Sequence, residues 1–116
     1  MAVGEEELAH WQDMFGLLGP VEVKRMFSGA GFSVEGFTFA LLLRAGLYMR
    51  VDDVTRPEYA AAGCEPFSYT ARGKEVVVRR YYSVPDEAVE SVERMSELAL
   101  QSLAAAQRDD VRKRRG

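Results

Sequence analysis

Apolar residues recur at helical spacing near both ends of the chain, and between those ends the period drops to two. Leu8, Trp11, Phe15 and Leu18 fall on one helical face, behind Glu5, Glu6 and Glu7, whose charges suit the positive end of a helix dipole. The spacing predicts an amphipathic helix over 5–18, stopped by Gly19-Pro20. From there to Tyr82 the pattern is short β-rich runs cut by glycines, at 21–27, 31–36, 37–43, 46–52, 66–71 and 75–82. The links Glu35-Gly36, Ala45-Gly46 and Arg72-Gly73-Lys74 are too short for parallel crossovers, so neighbouring strands are expected to be antiparallel. Residues 53–65 read as a helical turn, with Pro57 and Glu58 at its start and Gly63 at its end. After Pro85 an acidic stretch begins a helical segment. Ser91 is placed to cap a second one, in which Val92, Met95, Ala99, Leu103 and Ala106 form an apolar stripe.

Strands grouped between helices predict an α+β fold: a two-layer sandwich with an antiparallel sheet of about six strands and the N- and C-terminal helices on one face. The other face is then left uncovered. The domain is expected to occupy residues 1–107. The basic end, 108–116, has no apolar periodicity and is expected to fray as a disordered tail.

Composition narrows the class without changing this outline. The 116 residues are 47% hydrophobic and 28% charged, as in an ordinary folded domain. The longest apolar run, Phe37–Leu43, is far short of the roughly 20 residues that span a bilayer. The first residues are acidic where a secretory signal would be basic, so a cytoplasmic location is expected. A single cysteine, Cys64, and a single histidine, His10, supply neither an internal disulfide nor a Cys/His metal cluster. The net charge of −3 conceals an asymmetry: outside 108–116 there are ten basic against sixteen acidic residues. An acidic body repels a phosphate backbone, which disfavours nucleic acid as a partner.

Candidate chemistry is sparse. Gly31–Thr38, GFSVEGFT, falls one side chain short of a phosphate-binding loop, with Phe37 where the lysine should stand and no helix pattern after it. It is better read as a backbone kink at 29–31 followed by a hairpin turn at 35–36. His10 reads as a rim histidine, Cys64 as structural, and Asp52-Asp53 as a turn and helix-start signal in preference to a cation site. No catalytic, cofactor or metal residue is assigned. The arginines and tyrosines are more suggestive. Tyr48 shares a strand face with Arg50, as Arg79 does with Tyr81 and Arg80 with Tyr82. Such pairs serve an interaction surface, or they simply solvate an open sheet face.

Four stretches, RMFSGAGFSVEGFTFALL, GLYMRVDDVTRPEYAAAG, PFSYTARGKEV and YYSVP, resemble in order and spacing the N-terminal domain of the TfoX/Sxy family, over residues 21–106. The family's signature positions match Arg25, Phe27, Gly29, Gly31 and Gly36, then Arg50 beside Tyr48 and Asp52, then Phe67, Tyr69, Tyr82 and Pro85. Ser28 replaces a usual glycine and Leu98 a common tryptophan. The resemblance implies a two-layer fold similar to secretion chaperones. It also implies a bacterial role like that of family members that regulate natural competence as co-activators with the cAMP receptor protein. Full-length regulators of that kind carry a second, C-terminal domain, and the resemblance covers the first. The expected function is a non-enzymatic protein-binding module in transcriptional regulation, partnered by the transcription machinery or a regulator. The surface expected to serve it comprises Arg25, Tyr48, Arg50, Arg79, Arg80, Tyr81 and Tyr82. One alternative is direct nucleic-acid binding by the Arg/Tyr face with the basic tail. Another is a small-ligand or enzymatic domain of unassigned substrate. An uncovered sheet face also leaves room for a homodimer.

Overall fold

Glycine punctuation sets the strand boundaries. The computed structural model describes residues 4–26 and 29–115. Helix α1 (Glu5–Met14) and a 3-10 turn (Gly16–Leu18) lead into strands β1 (Glu22–Met26), β2 (Gly29–Val34), β3 (Phe37–Leu43) and β4 (Gly46–Arg50). Helix α2 (Arg56–Ala61) then precedes β5 (Pro66–Ala71) and β6 (Lys74–Ser83), and a 3-10 turn at Asp86–Ala88 leads to α3 (Val92–Arg115). The strands form one six-stranded sheet in the order β1-β2-β3-β4-β6-β5, with every neighbouring pair antiparallel. The fold is α+β, as the sequence pattern predicts.

Two hairpins close on paired left-handed residues. Glu35 and Gly36 have φ of 52° and 85°, and Arg72 and Gly73 have 53° and 76°. Two successive residues of positive φ match the right-handed twist of the strands they join. Gly31–Thr38 is thus strand, turn and strand, with Phe37 opening β3. The kink expected at 29–31 is not there. Gly29 and Gly31 lie in regular β2, and their service is steric: a Cβ on Gly29 would run into the backbone carbonyl oxygen of Leu42 and, at 2.9 Å, into Leu43 Cδ2. Phe27 and Ser28, immediately upstream, lie outside the described residues.

A bulge between β2 and β3 decides what fills the core. Phe32 faces Ala40 but Ser33 faces Thr38, so Phe39 is the extra residue. Strict alternation would put Phe39 on the same face as Leu41; the bulge turns it inward. There it meets Phe15 edge-to-face at 5.0 Å, and Phe15 meets Phe32 at 5.2 Å. These rings form a cluster with Leu8, Trp11 and Met14 of α1, Leu42, Leu47 and Met49 of the sheet, and Met95, Leu98 and Ala99 of α3.

Ser91 caps α3, accepting from the Arg94 backbone N–H at 3.1 Å. The stripe predicted on this helix is displaced by part of a turn. Val92 is exposed and Leu103 only half-buried, while Leu98, Ser102 and Ala105 join Met95, Ala99 and Ala106 inside. The expected fraying from residue 108 does not occur: α3 stays helical to Arg115. Arg108 and Asp109 are tied to the strand β4 end by ion pairs, which apolar periodicity cannot register. No described helix is long and apolar enough to cross a membrane.

Candidate functional site

The face of the sheet away from the helices is not uniformly polar. Gly31, on that face, has Met26, Leu41 and Thr38 as its nearest neighbours. Leu41 pairs with Tyr48 across β3 and β4, and Leu43 pairs with Gly46. The β5–β6 hairpin leans over this surface, because Tyr48 meets Phe67 edge-to-face at 5.2 Å and Phe67 stacks on Tyr69 at 5.9 Å. The result is a groove of about 580 Å³ lined by Met26, Leu41, Leu43, Phe67 and Tyr69, with Arg44 and Ala45 at its end. Its walls are almost wholly apolar, and Arg44, the only charged residue lining it among the described residues, is exposed. An apolar concavity outside the core is the kind of surface that takes a partner or a ligand.

A second feature sits where α3 ends beside β4. The Asp52 side chain organises the turn before α2: its Oδ1 accepts from the backbone N–H groups of Val54 at 3.0 Å and Thr55 at 3.1 Å, while the Asp52 N–H donates to Thr55 Oγ1 at 3.0 Å. Oδ2 accepts from Arg108 Nε at 2.7 Å. The Arg108 bond, ahead of the opposing effect of burial and of the backbone bonds, lowers the Asp52 pKa to about 2. Arg50 donates to Asp109 at 2.8 Å, and Arg56 to Asp53 at 2.6 Å. At Asp109 burial acts upward, but Lys113, Arg50 and Arg80 prevail and lower its pKa. Both members of Asp52-Asp53 are therefore taken up by guanidinium groups. This fits a turn and helix-start role.

The seven residues expected to share an interaction surface do not lie together. Tyr82 pairs with Met49, packs on Tyr59 at 6.4 Å between ring centres, and is only 8% exposed, so it belongs to the core. Arg50 and Tyr81 are direct cross-strand partners, with the guanidinium 5.7 Å from the ring centre. The Asp109 bond draws Arg50 toward α3, leaving its side chain 14% exposed. Arg79 and Arg80 are exposed, and their carbonyl oxygens accept from Arg56 Nε and the Val51 N–H. Arg25 is exposed on β1, at the opposite edge of the sheet. Tyr48 alone of the seven borders the apolar groove, through Phe67. Of the family-signature residues, Phe67 and Tyr69 form groove wall, Gly29 and Gly31 permit close packing, Gly36 makes the turn, and Pro85 is buried.

Sequence reasoning passed over Met26, Leu41 and Leu43 as groove residues. A signal was available: Phe37–Leu43 is apolar at both parities, so whichever face the helices cover, the other face keeps large apolar side chains.

The model of the TfoX N-terminal domain matches residues 13–106. Among characterised proteins, the DNA transformation protein TfoX of Haemophilus influenzae is 34% identical over 76 residues, which is 65% of this chain and 35% of that protein. The chain thus spans about a third of the length of this relative. With the fold, the signature glycines and the matched segment in agreement, the chain belongs to the TfoX N-terminal domain family.

Proposed function

We propose that this chain is a cytoplasmic, non-enzymatic protein-binding module acting in transcriptional regulation, and that its partner docks in the groove on the uncovered sheet face. The observation that carries this reading is the groove itself: Leu41, Leu43, Phe67 and Tyr69 form one apolar concavity that the protein's own helices do not fill. A partner that inserts apolar side chains there gains about 25 cal/mol for each Å² of apolar surface removed from water. The relative's name ties the family to DNA transformation, and that process is the proposed setting.

The test is affinity capture from lysate of the native host, with wild type, Leu43→Asp and Arg79→Ala baits, coupled to transformation frequency in strains carrying the same changes. A partner retained by wild type and Arg79→Ala but lost by Leu43→Asp, with transformation falling in parallel, is the expected result. Identical partners and unchanged transformation in a folded Leu43→Asp protein would remove the groove from the account. Arg50→Glu is a poor probe, because it breaks the Asp109 pair and perturbs the end of α3.

A further inference from the structure

Next to the ion pairs at the end of α3 is a recess of about 190 Å³, on a different part of the molecule from the apolar groove. Five arginines line it against three aspartates. Each aspartate has a close guanidinium partner: Asp52 has Arg108, Asp53 has Arg56, and Asp109 has Arg50. That leaves Arg80 and Arg112. Arg112 approaches Asp109 only at 3.7 Å, on an oxygen other than the one Arg50 holds, and Arg80 is exposed on the wall of the recess. Arg50 Nε, buried behind the wall of the recess, finds no acceptor among the described residues and is out of reach of a ligand there. The recess thus carries an excess of two positive charges and donor groups that the aspartates do not use up. Its other lining is Val51 and Val54.

We infer that this recess binds a doubly charged tetrahedral oxyanion, the phosphate of a monoester, between Arg80 and Arg112. Two excess charges match a dianion. Guanidinium groups suit phosphate oxygens because their N–H donors lie in a fixed fork and the bonds are charge-assisted. The three aspartates work against nucleic acid: a run of phosphodiesters crossing the recess would set single charges beside carboxylates, whereas one terminal dianion sits where the positive excess is concentrated. The inference does not depend on the protein-binding reading, since it uses none of the groove residues.

The experiment is thermal denaturation of the full chain at about pH 7.5, where a phosphate monoester is largely dianionic. The probes are inorganic phosphate, phenyl phosphate and a short oligonucleotide without terminal phosphates, each against sodium chloride at equal ionic strength. The expected result is a melting temperature that rises with phosphate and phenyl phosphate above the chloride control, as binding to the native state requires. In Arg80→Gln and Arg112→Gln the concentration for half the effect rises roughly tenfold each, the size expected for one charge-assisted bond. Arg79→Gln, next in sequence but outside the recess, leaves the response unchanged. Absence of any rise above chloride, a rise that survives in the double Arg80→Gln/Arg112→Gln protein, or a response to the oligonucleotide alone would each overturn the inference.

Discussion

Asp52→Asn is the change that best separates charge from geometry in this fold. The asparagine keeps an oxygen to accept from Val54 and Thr55 but loses the negative charge that Arg108 holds at 2.7 Å. The Asp52 pKa falls from 3.8 to about 2. At 1.36 kcal/mol for each unit that shift corresponds to about 2.4 kcal/mol before screening. Arg108 is 45% exposed, so solvent screens the pair and the expected loss at neutral pH is about 1 kcal/mol. The sign follows from the direction of the shift. A carboxylate whose pKa is depressed by folding stabilises the protein above its unfolded value and loses that contribution as pH falls toward its folded value. Urea unfolding of wild type and Asp52→Asn should therefore show a nearly constant gap from about pH 7 to 5 that has shrunk to about a third by pH 3. Arg108→Gln should produce a similar gap, and the double variant should lose little more than either single one. A gap that stays the same size down to pH 3 would mean that charge is not what Asp52 contributes, and would refute the reasoning.

Three further changes probe the sheet. Gly29→Ala forces a methyl group against the Leu42 carbonyl oxygen at the end of the β2–β3 ladder and should cost about 2–3 kcal/mol in the same urea assay, whereas Gly31→Ala meets most closely the flexible end of Met26 and should cost clearly less. Glu35→Asn places a residue tolerant of left-handed backbone before Gly36 and should stabilise the hairpin by about 0.5–1 kcal/mol, read as a higher melting temperature.

What could be read from the sequence was local. Alternating runs and glycine links specify six antiparallel strands, because a hairpin turn is written in the two residues that make it. Ser91 could be recognised as a cap for the same reason: its bond reaches only three residues along. The misplaced features depend on partners far along the chain. Phe39 faces the core because of a bulge against β2, and no property of Phe39 itself announces that. The last helical turns are held by Asp52 and Arg50, more than fifty residues away, so a segment with no apolar stripe stays helical. Tyr81 and Tyr82 are a sharper instance. Alternation puts adjacent tyrosines on opposite faces, but only the pairing of Tyr82 with Met49 says which one is buried. Arginines and tyrosines that look alike in sequence accordingly divide between core, groove rim and ion-pair cluster.

Strand β6 gives the sheet an uneven seam. Its end joins β4 through Tyr81, Tyr82 and Ser83, while its longer first part is matched only to β5. The hairpin of residues 66–78 therefore hangs from the rest of the molecule by a short run of ladder, and its amides should exchange with solvent before those of β2 and β3. Because Phe67 and Tyr69 ride on that hairpin, one wall of the groove belongs to the outer pair of strands while the opposite wall, at Leu41 and Leu43, belongs to β3. Amide exchange that opened residues 66–78 ahead of β2 and β3 would make the groove a jaw with one moving side, and equal protection of both hairpins would make it a fixed cleft.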